Sequence, residues 1–486
     1  MATSPVNDLP STPHPSTRFR RGQLVELAVT DLAEAAKGFG RLDDGLAVFV
    51  EGTVAVGDRV RAALTKIKPN YLESKLVEVL SPSPRRVAPR CTHFGVCGGC
   101  KWQHVEYPLQ LELKRKLVAD ALQRLGGFVG APVNEPLPAP LPFAYRNKVD
   151  FSFGDRRYLL AEEMAHPLKP VDFALGFHTA GHFEKVVDID RCHIATDEMN
   201  AALTATHAFF QARGTSVYNT KTHQGFLRNL VLRQGFHTGE FMVYLITSDP
   251  DDALLRDYEV ELRAALGDRL TTLVHGTTSR MNNVAYADQL FTRSGPGCIT
   301  EQLGPFTFSI SPNSFFQTNT LQAERLYDLV RAAAALQRDD VALDLYCGTG
   351  TISLYLARDC ARVIGYEQEA SSVADAQANA QRNGVTNCTF VQMDLKHFAK
   401  AGSERPSVVI TDPPRAGMHE DAVAELLKLA PRRIVYVSCN PASLARDGKL
   451  ICAGGRYQLG RVTPVDLFPH TYHVESVAVF EEGDRR

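Results

Sequence analysis

The sequence predicts a multidomain protein: an N-terminal β-barrel, a central α+β region and a C-terminal α/β domain on a parallel sheet. Three observations carry this. From residue 341 onward, strand-like and helix-like stretches alternate, the pattern of a parallel sheet covered by helices. Between about residues 19 and 82, short runs of alternating polarity are separated by glycine turns, as in a small barrel. Between these regions, Cys91, Cys97 and Cys100 fall within ten residues on a glycine-containing loop. The expected divisions are a disordered tail at 1–17, a barrel at 18–83, a central domain at 84–308 and a C-terminal domain at 309–486.

Bulk properties narrow the class. At about 150 residues per domain, a chain of 486 residues allows two to four domains. Hydrophobic residues make up 44% and charged residues 22%, ordinary for globular protein. No apolar run is long enough to span a bilayer, and no basic start leads into an apolar segment, so a cytoplasmic monomer away from membranes is expected. Ten cysteines are too sparse for a disulfide scaffold; they read as metal ligands, catalytic groups or core residues. Net charge is −2, so a nucleic-acid-binding surface would have to be a local patch.

Residues 1–17 are rich in Pro, Ser and Thr and cannot bury a core. A transit peptide is the alternative, weakened by Asp8 and by arginines that begin only at Arg18. Strands are expected at Gln23–Leu27, Leu46–Val50 and Asp58–Ala62, with turns at Lys37–Gly40 and Asp43–Gly45. Lys66, Lys68 and Lys75 beside Tyr71 could form an RNA-contacting face or an ordinary solvated surface. The Gly38-Phe-Gly-Arg41 segment, the Val48-Phe-Val50 strand and the Gly57-Asp-Arg-Val60 turn resemble a TRAM domain, an oligonucleotide-binding-type barrel of RNA-modifying enzymes.

The three clustered cysteines point to a metal centre. A fourth ligand is needed: Cys192 is the favoured candidate, with His93 and His104 competing. Zinc prefers paired Cys-x-x-Cys knuckles, whereas iron–sulfur clusters accept varied spacing, which favours a cluster. Trp102, the only tryptophan, is adjacent. An amphipathic helix is expected over 107–125, with Lys114, Arg115, Lys116 and Arg124 as its basic residues. A Pro-rich linker at 132–142 leads into a β-rich region, where Arg146, Lys148, Arg228 and Arg233 are candidate phosphate contacts or partners of local carboxylates. Gln317 precedes a helix over about 320–336 and could hydrogen-bond a polar ligand.

In the C-terminal module, a strand at Val341–Tyr346 leads into the glycine loop Cys347-Gly-Thr-Gly350-Thr351. The next strand ends at Glu367, placed to bind ribose hydroxyls. A third ends at Asp394, which could meet an adenine amino group, and a fourth at Asp412. The loop lacks the third glycine of the dinucleotide fingerprint, which disfavours a pyrophosphate cofactor and leaves S-adenosylmethionine as the better fit. A fifth strand ends at Cys439, where a thiol faces the crevice beyond the sheet; a buried core cysteine is the alternative.

After Asp412-Pro-Pro414 stands Arg415. An aromatic there would suit amino-nitrogen methylation, and a cysteine would suit cytosine chemistry. A single thiol at Cys439 fits addition to carbon 6 of uracil, which activates carbon 5. Glu475, opening an apolar strand, is the favoured base for the carbon-5 proton, with His473 as its rival.

Taken together, these motifs resemble the RNA uracil-5 methyltransferase family (TrmA/RumA type), most closely its iron–sulfur-containing bacterial 23S ribosomal RNA branch, over about residues 19–482. The resemblance implies a [4Fe-4S] cluster on Cys91, Cys97, Cys100 and Cys192. It implies S-adenosylmethionine contacts from Gln317, Tyr346, Thr351, Glu367, Asp394 and Asp412, with Cys439 as nucleophile and Glu475 as base. Thr351 stands where relatives often have Asn. The expected substrate is 23S rRNA; the alternatives are tRNA, or a non-catalytic RNA-binding iron–sulfur protein. The target base is expected to flip out of its stack to reach Cys439.

Overall fold

The computed structural model describes residues 18–33, 36–160, 163–167, 169–179, 182–396, 398 and 405–483. The expected tail at 1–17 lies outside them. The chain divides into two compact units, one reaching to Pro89 and including Cys100–Gln110, the other comprising Arg90–Gly99 and Leu111 onward.

The first unit holds a six-stranded sheet. Its strands are β1 (Leu24–Ala28), β2 (Asp31–Leu32), β3 (Gly38–Arg41), β4 (Ala47–Glu51), β5 (Arg59–Ile67) and β6 (Tyr71–Ser81), in the order β1-β5-β6-β4-β3-β2. Alternation in β1 and β5 buries Val25, Leu27, Val60, Ala62 and Leu64 and turns the charged residues outward. Of the turn expected at Lys37–Gly40, Gly38, Phe39 and Gly40 lie in strand β3 instead. Gly40 lies so close to Ala28 that an added Cβ would meet its carbonyl oxygen at 2.2 Å, so the glycine serves close strand packing. Phe39, Phe49 and Tyr71 form an aromatic row, with centroids 5.4 Å apart at each step. Of the expected basic face, Lys66 pairs with Glu73 at 3.1 Å.

Helix α1 (Tyr107–Ala121) continues into a π-turn at Leu122–Gly126 and stops at Gly127, which adopts φ +77°. In the second unit, β7 (Lys148–Gly154), β8 (Ala174–Thr179), β9 (His182–Asp188), β10 (Leu227–Gln234), β11 (Phe241–Thr247), β12 (Leu270–Thr277) and β13 (Gln289–Ser294) form one sheet, ordered β13-β12-β11-β10-β7-β8-β9. Helices α2 (Asp197–Ala212) and α3 (Asp252–Leu266) accompany it. A hairpin, β14 (Ile299–Leu303) and β15 (Phe306–Ile310), leads to α4 (Thr320–Ala334).

The C-terminal sheet contains β16 (Val341–Leu345), β17 (Arg362–Glu367), β18 (Cys388–Gln392), β19 (Val408–Thr411), β20 (Arg433–Ser438), β21 (Tyr457–Val465) and β22 (Glu475–Glu482). Their order is β18-β17-β16-β19-β20-β22-β21, parallel from β18 to β20 and closed by antiparallel β22 and β21. Helices α5 (Thr351–Leu356), α6 (Ala370–Arg382), α7 (Glu420–Leu429) and α8 (Pro441–Cys452) lie between strands along the chain. Continuously apolar strands such as Arg433-Ile-Val-Tyr-Val-Ser438 are buried along nearly their whole length, as expected for a parallel sheet covered on both faces. The central and C-terminal parts share one core, with Val231, Met242 and Tyr244 in the same buried cluster as Phe308, Leu326, Ala342 and Val435. Strand β21 has no clear strand pattern in the sequence; its Gly460-Arg461 interruption coincides with a register shift between Leu459 and Val462.

Candidate active site

Strand register assembles the site. Leu345 pairs with Tyr366 on one side and Thr411 on the other, so Tyr346, Glu367 and Asp412 follow at one sheet edge. Glu367 pairs with Gln392, placing Asp394 just beyond the end of β18. Ser438 pairs with Ser476 in the antiparallel β20–β22 ladder, so Cys439, one step past Ser438, comes opposite Glu475, one step before Ser476. Chain-distant residues thus converge where ligands of open α/β sheets bind.

The turn after β16 is shaped for a polar ligand. Tyr346 adopts φ +63°, an uncommon conformation for a non-glycine residue and one that clusters at functional sites. Gly348 has φ +52° and faces open space where a Cβ would stand. Its N–H donates to Glu367 at 3.1 Å, and the backbone of Gln368 and Glu369 donates to the other carboxylate oxygen. Glu367 is therefore fixed before any ligand arrives. Asp344 is fully buried and accepts from Ser353 at 2.6 Å. Its other oxygen has no partner among the described residues, and burial pushes its carboxyl up to about 7. Thr351 hydrogen-bonds Tyr327 of α4, and Asp394 lies exposed, accepting from the Lys396 N–H at 3.0 Å. The open glycine turn, fixed carboxylate and polar strand ends fit the sugar and base of a nucleoside-type methyl donor.

Gln317 is held through its backbone: Asn147 donates to the Gln317 carbonyl at 2.8 Å, and the Asn147 N–H donates to Thr318. Asn319 caps α4 and also donates to Leu467 at 3.0 Å. Phe315, not singled out from the sequence, is 73% exposed while Phe316 is buried. Two adjacent phenylalanines give no sequence signal as to which one faces solvent.

The Asp412–Gly417 loop is tied to α8. Asn440 donates to the Arg415 carbonyl at 3.0 Å, and Arg446 donates to Ala416 and Met418. Buried Asp447 accepts from Tyr436 at 2.6 Å and from the Met418 N–H at 2.7 Å. Asn440 also caps α8, with Pro441 at the first helical position. The Ser438-Cys-Asn-Pro441 sequence thus stops a strand, presents a thiol and starts a helix.

Burial dominates the electrostatics. It pushes Asp412 up to about 6. Glu475 rises to about 8 through burial and the neighbouring Asp412, opposed by Arg415 and Lys114. Cys439 rises to about 11 through burial, Glu475 and Asp412, opposed by Arg415. His473 falls to about 4 through burial, then Arg415, Lys114 and Arg146. These shifts tie Cys439, Glu475, Asp412 and Arg415 into one cluster.

Several basic residues have structural roles. Arg228 donates to Thr278 and Asn282 carbonyls at 3.2 and 2.6 Å, and Arg233 donates to the Ser314 carbonyl; both are buried, which removes them as phosphate contacts. Lys114, one of the basic residues of the expected amphipathic helix, is completely buried. Of the cysteines, Cys91, Cys97 and Cys192 belong to the second unit and Cys100 to the first. Cys192 acts electrostatically on Cys91, and burial raises both thiols. His93 accepts from the Asp190 N–H at 3.2 Å, and His104 contacts the Val54 carbonyl at 2.9 Å. Among the described residues, no group of three or more His, Cys, Asp or Glu side chains is arranged to hold a metal ion. The thiol donor set suits a cluster, but the support for one comes from the sequence motif.

A glycine turn beside polar strand ends, with a thiol and a carboxyl at neighbouring strand ends, is the layout of a ligand-binding α/β domain. Comparisons with known proteins make this specific. Residues 304–482 match the family described as tRNA (Uracil-5-)-methyltransferase, and residues 18–77 match the TRAM domain. An uncharacterized RNA methyltransferase of Chlorobaculum tepidum is 48% identical over 96% of this chain and 98% of its own length. Another, from Porphyromonas gingivalis, is 39% identical over 93% and 99%. The solved structure of Pyrococcus abyssi tRNA (uracil-54, C5)-methyltransferase in complex with S-adenosyl-L-homocysteine is 30% identical, covers 94% of this chain and 99% of that one, and has a TM-score of 0.72. The chain belongs to the RNA (uracil-5-)-methyltransferase family. It is an enzyme that methylates carbon 5 of uridine in RNA using S-adenosylmethionine. Among the described residues no helix is long and apolar enough to cross a membrane.

Proposed function

We propose that Cys439 is the nucleophile and Glu475 the base of this reaction. The observation that carries the reading is the β20–β22 register, which brings these two residues together beside Asp412. S-adenosylmethionine, when bound, supplies an electrophilic methyl on a cationic sulfur. Gln317, Tyr346, Thr351, Glu367, Asp394 and Asp412 would hold it. The Cys439 thiol gives up its proton to water as its sulfur bonds to carbon 6 of uracil, and the displaced ring electron pair makes carbon 5 nucleophilic. Carbon 5 takes the methyl group as the methyl–sulfur bond breaks. Glu475 then removes the carbon-5 proton; the pair from that C–H bond re-forms the ring double bond and expels the thiolate. His473, pulled down to about 4, is a weaker base than Glu475.

Exposed Phe315, two residues before Gln317, suits stacking on the target base, and the Phe39–Phe49–Tyr71 row suits stacking on flanking single-stranded RNA. The cysteine motif supports a [4Fe-4S] cluster on Cys91, Cys97, Cys100 and Cys192 with a structural role. Visible absorption of anaerobically purified protein tests it, and a colourless protein containing zinc would refute it.

For the substrate we take 23S rRNA, on the strength of the barrel together with the cysteine motif. tRNA is the second reading. It is favoured by the near full-length likeness to an archaeal enzyme whose name specifies uracil 54 of tRNA. Mapping 5-methyluridine in a deletion strain separates them: loss from 23S rRNA supports the first, and loss from tRNA alone overturns it. Failure of the purified protein to transfer label to any uridine would remove both.

A further inference from the structure

The connection between β21 and β22 leads directly into Glu475, and three parts of the second unit hold it. Asn319 donates to the Leu467 carbonyl at 3.0 Å, and Tyr145 donates to the Pro469 carbonyl at 3.2 Å. Lys114 of α1 donates to the Phe468 carbonyl at 3.0 Å and to the Asp466 carboxylate. Thr471 also donates to Phe468 at 2.8 Å, and His470 adopts φ +65° while its ring lies 4.2 Å from Phe143. The side chains of Lys114 and Asp466 are both fully shielded from solvent.

A buried ion pair is a poor device for stability alone. Desolvating two charges offsets most of their attraction, and apolar replacements of similar volume are often neutral or better. Its position suggests another use. We propose that Lys114 is a positioning residue of the methyl-transfer reaction: its buried ammonium fixes the Asp466–Val474 connection so that Glu475 meets the Cys439 adduct, and it supplies positive charge where Glu475 must ionise. This rests on Glu475 being the base.

The groups facing Glu475 make the second effect necessary. Asp412 and Cys439 lie on its negative side, with Tyr327 of α4 in electrostatic range; Arg415 and Lys114 oppose them. Asp466 is the partner of Lys114, and His470 and His473 on the same connection are both pushed down to about 4, chiefly by burial and in smaller part by Lys114, and so are uncharged at neutral pH. Of the two cations, Arg415 is exposed to solvent and screened, whereas Lys114 is buried; burial pushes its ammonium down, and the Asp466 carboxylate and then Glu475 act to keep it charged.

The test uses the full-length protein, labelled donor and total RNA from a strain lacking the protein. It follows release of the covalent protein–RNA adduct in single turnovers against pH. Lys114→Met should move the pH limb for release upward by about one unit and slow release about tenfold at pH 7, because a one-unit pKa shift changes the ionised fraction tenfold. Lys114→Arg should restore the limb. S-adenosylhomocysteine affinity should stay at the wild-type value in both. Should Lys114→Met fail to fold, the double variant Lys114→Met/Asp466→Leu removes the pair without stranding a charge, and its limb should still be displaced. A folded variant lacking Lys114 whose limb stays at the wild-type pH overturns the proposal, as does an arginine variant as slow as the methionine one. Glu475→Gln is the separating control. If it accumulates adduct while the Lys114 variants keep the wild-type limb, only Lys114 loses its role; if it turns over normally, the base assignment falls and this proposal with it.

Discussion

Two exposed acids of the first unit, Glu26 and Asp44, and three acids of the C-terminal sheet, Asp344, Asp412 and Glu475, are held in opposite states. On the surface of the first unit, Glu26 is drawn below the usual carboxylate range by the Arg61 guanidinium at 2.8 Å, and Asp44 by the Leu46 N–H and then Arg18. At the sheet edge, Asp344, Asp412 and Glu475 are driven upward by burial, and Glu475 further by Asp412. The first arrangement keeps charges solvated and paired. The second crowds acids together out of water with few cations to match, and a protein keeps such a site where the raised affinity for protons is useful. Perturbed groups facing one crevice therefore mark the chemistry, while the barrel's ion pairs mark a surface.

Breaking the buried side should cost most. Cys439→Ala should abolish methyl transfer while leaving S-adenosylhomocysteine binding intact; residual transfer at a wild-type rate in a label-incorporation assay would dismiss the thiol mechanism. Glu475→Gln should slow turnover by about 10²–10⁴-fold, the usual scale of general-base catalysis. It should also trap a denaturation-resistant protein–RNA adduct visible on a gel.

The pH behaviour follows with a definite sign. In the wild type, adduct release should rise with pH and level off above about 8, as Glu475 ionises. The same shift bears on stability. The Glu475 carboxyl binds its proton more tightly when folded, so its contribution is present below about 4.5 and is lost as pH rises through about 8. Glu475→Gln should therefore gain in melting temperature over wild type between these limits and show no gain below them. Asp412→Asn removes a negative neighbour, so it should move the release limb to lower pH and weaken donor binding about tenfold, as expected for one lost charged hydrogen bond; a limb displaced upward would contradict the charge cluster. On the barrel, Arg61→Ala should leave the melting midpoint and methyl transfer near wild type, since exposed pairs contribute little.

Much of the C-terminal site was legible in the sequence. Parallel-sheet strands are short apolar runs, and the polar residue that ends each run falls at the edge where ligands bind, so Glu367, Asp394, Asp412 and Cys439 could be picked out one strand at a time. Asn440 and Pro441 read as a turn; that they also cap and open a helix appears only in the structure. Among four basic residues on one amphipathic helix, nothing local marks Lys114 as the buried one. Its burial depends on Asp466, 352 residues further along the chain. Arg228 and Arg233 were open to two readings for the same reason, since their acceptors are backbone carbonyls of distant loops.

By itself, then, the sequence determined the strand–helix alternation of the C-terminal module, the polar strand ends and the turn after the thiol, because these depend on local periodicity and turn chemistry. The meeting of Cys439 with Glu475, the crowding that raises their proton affinities and the burial of Lys114 were decided by the tertiary structure. Strand order and register are set by long-range pairing, and desolvation depends on everything packed around a group.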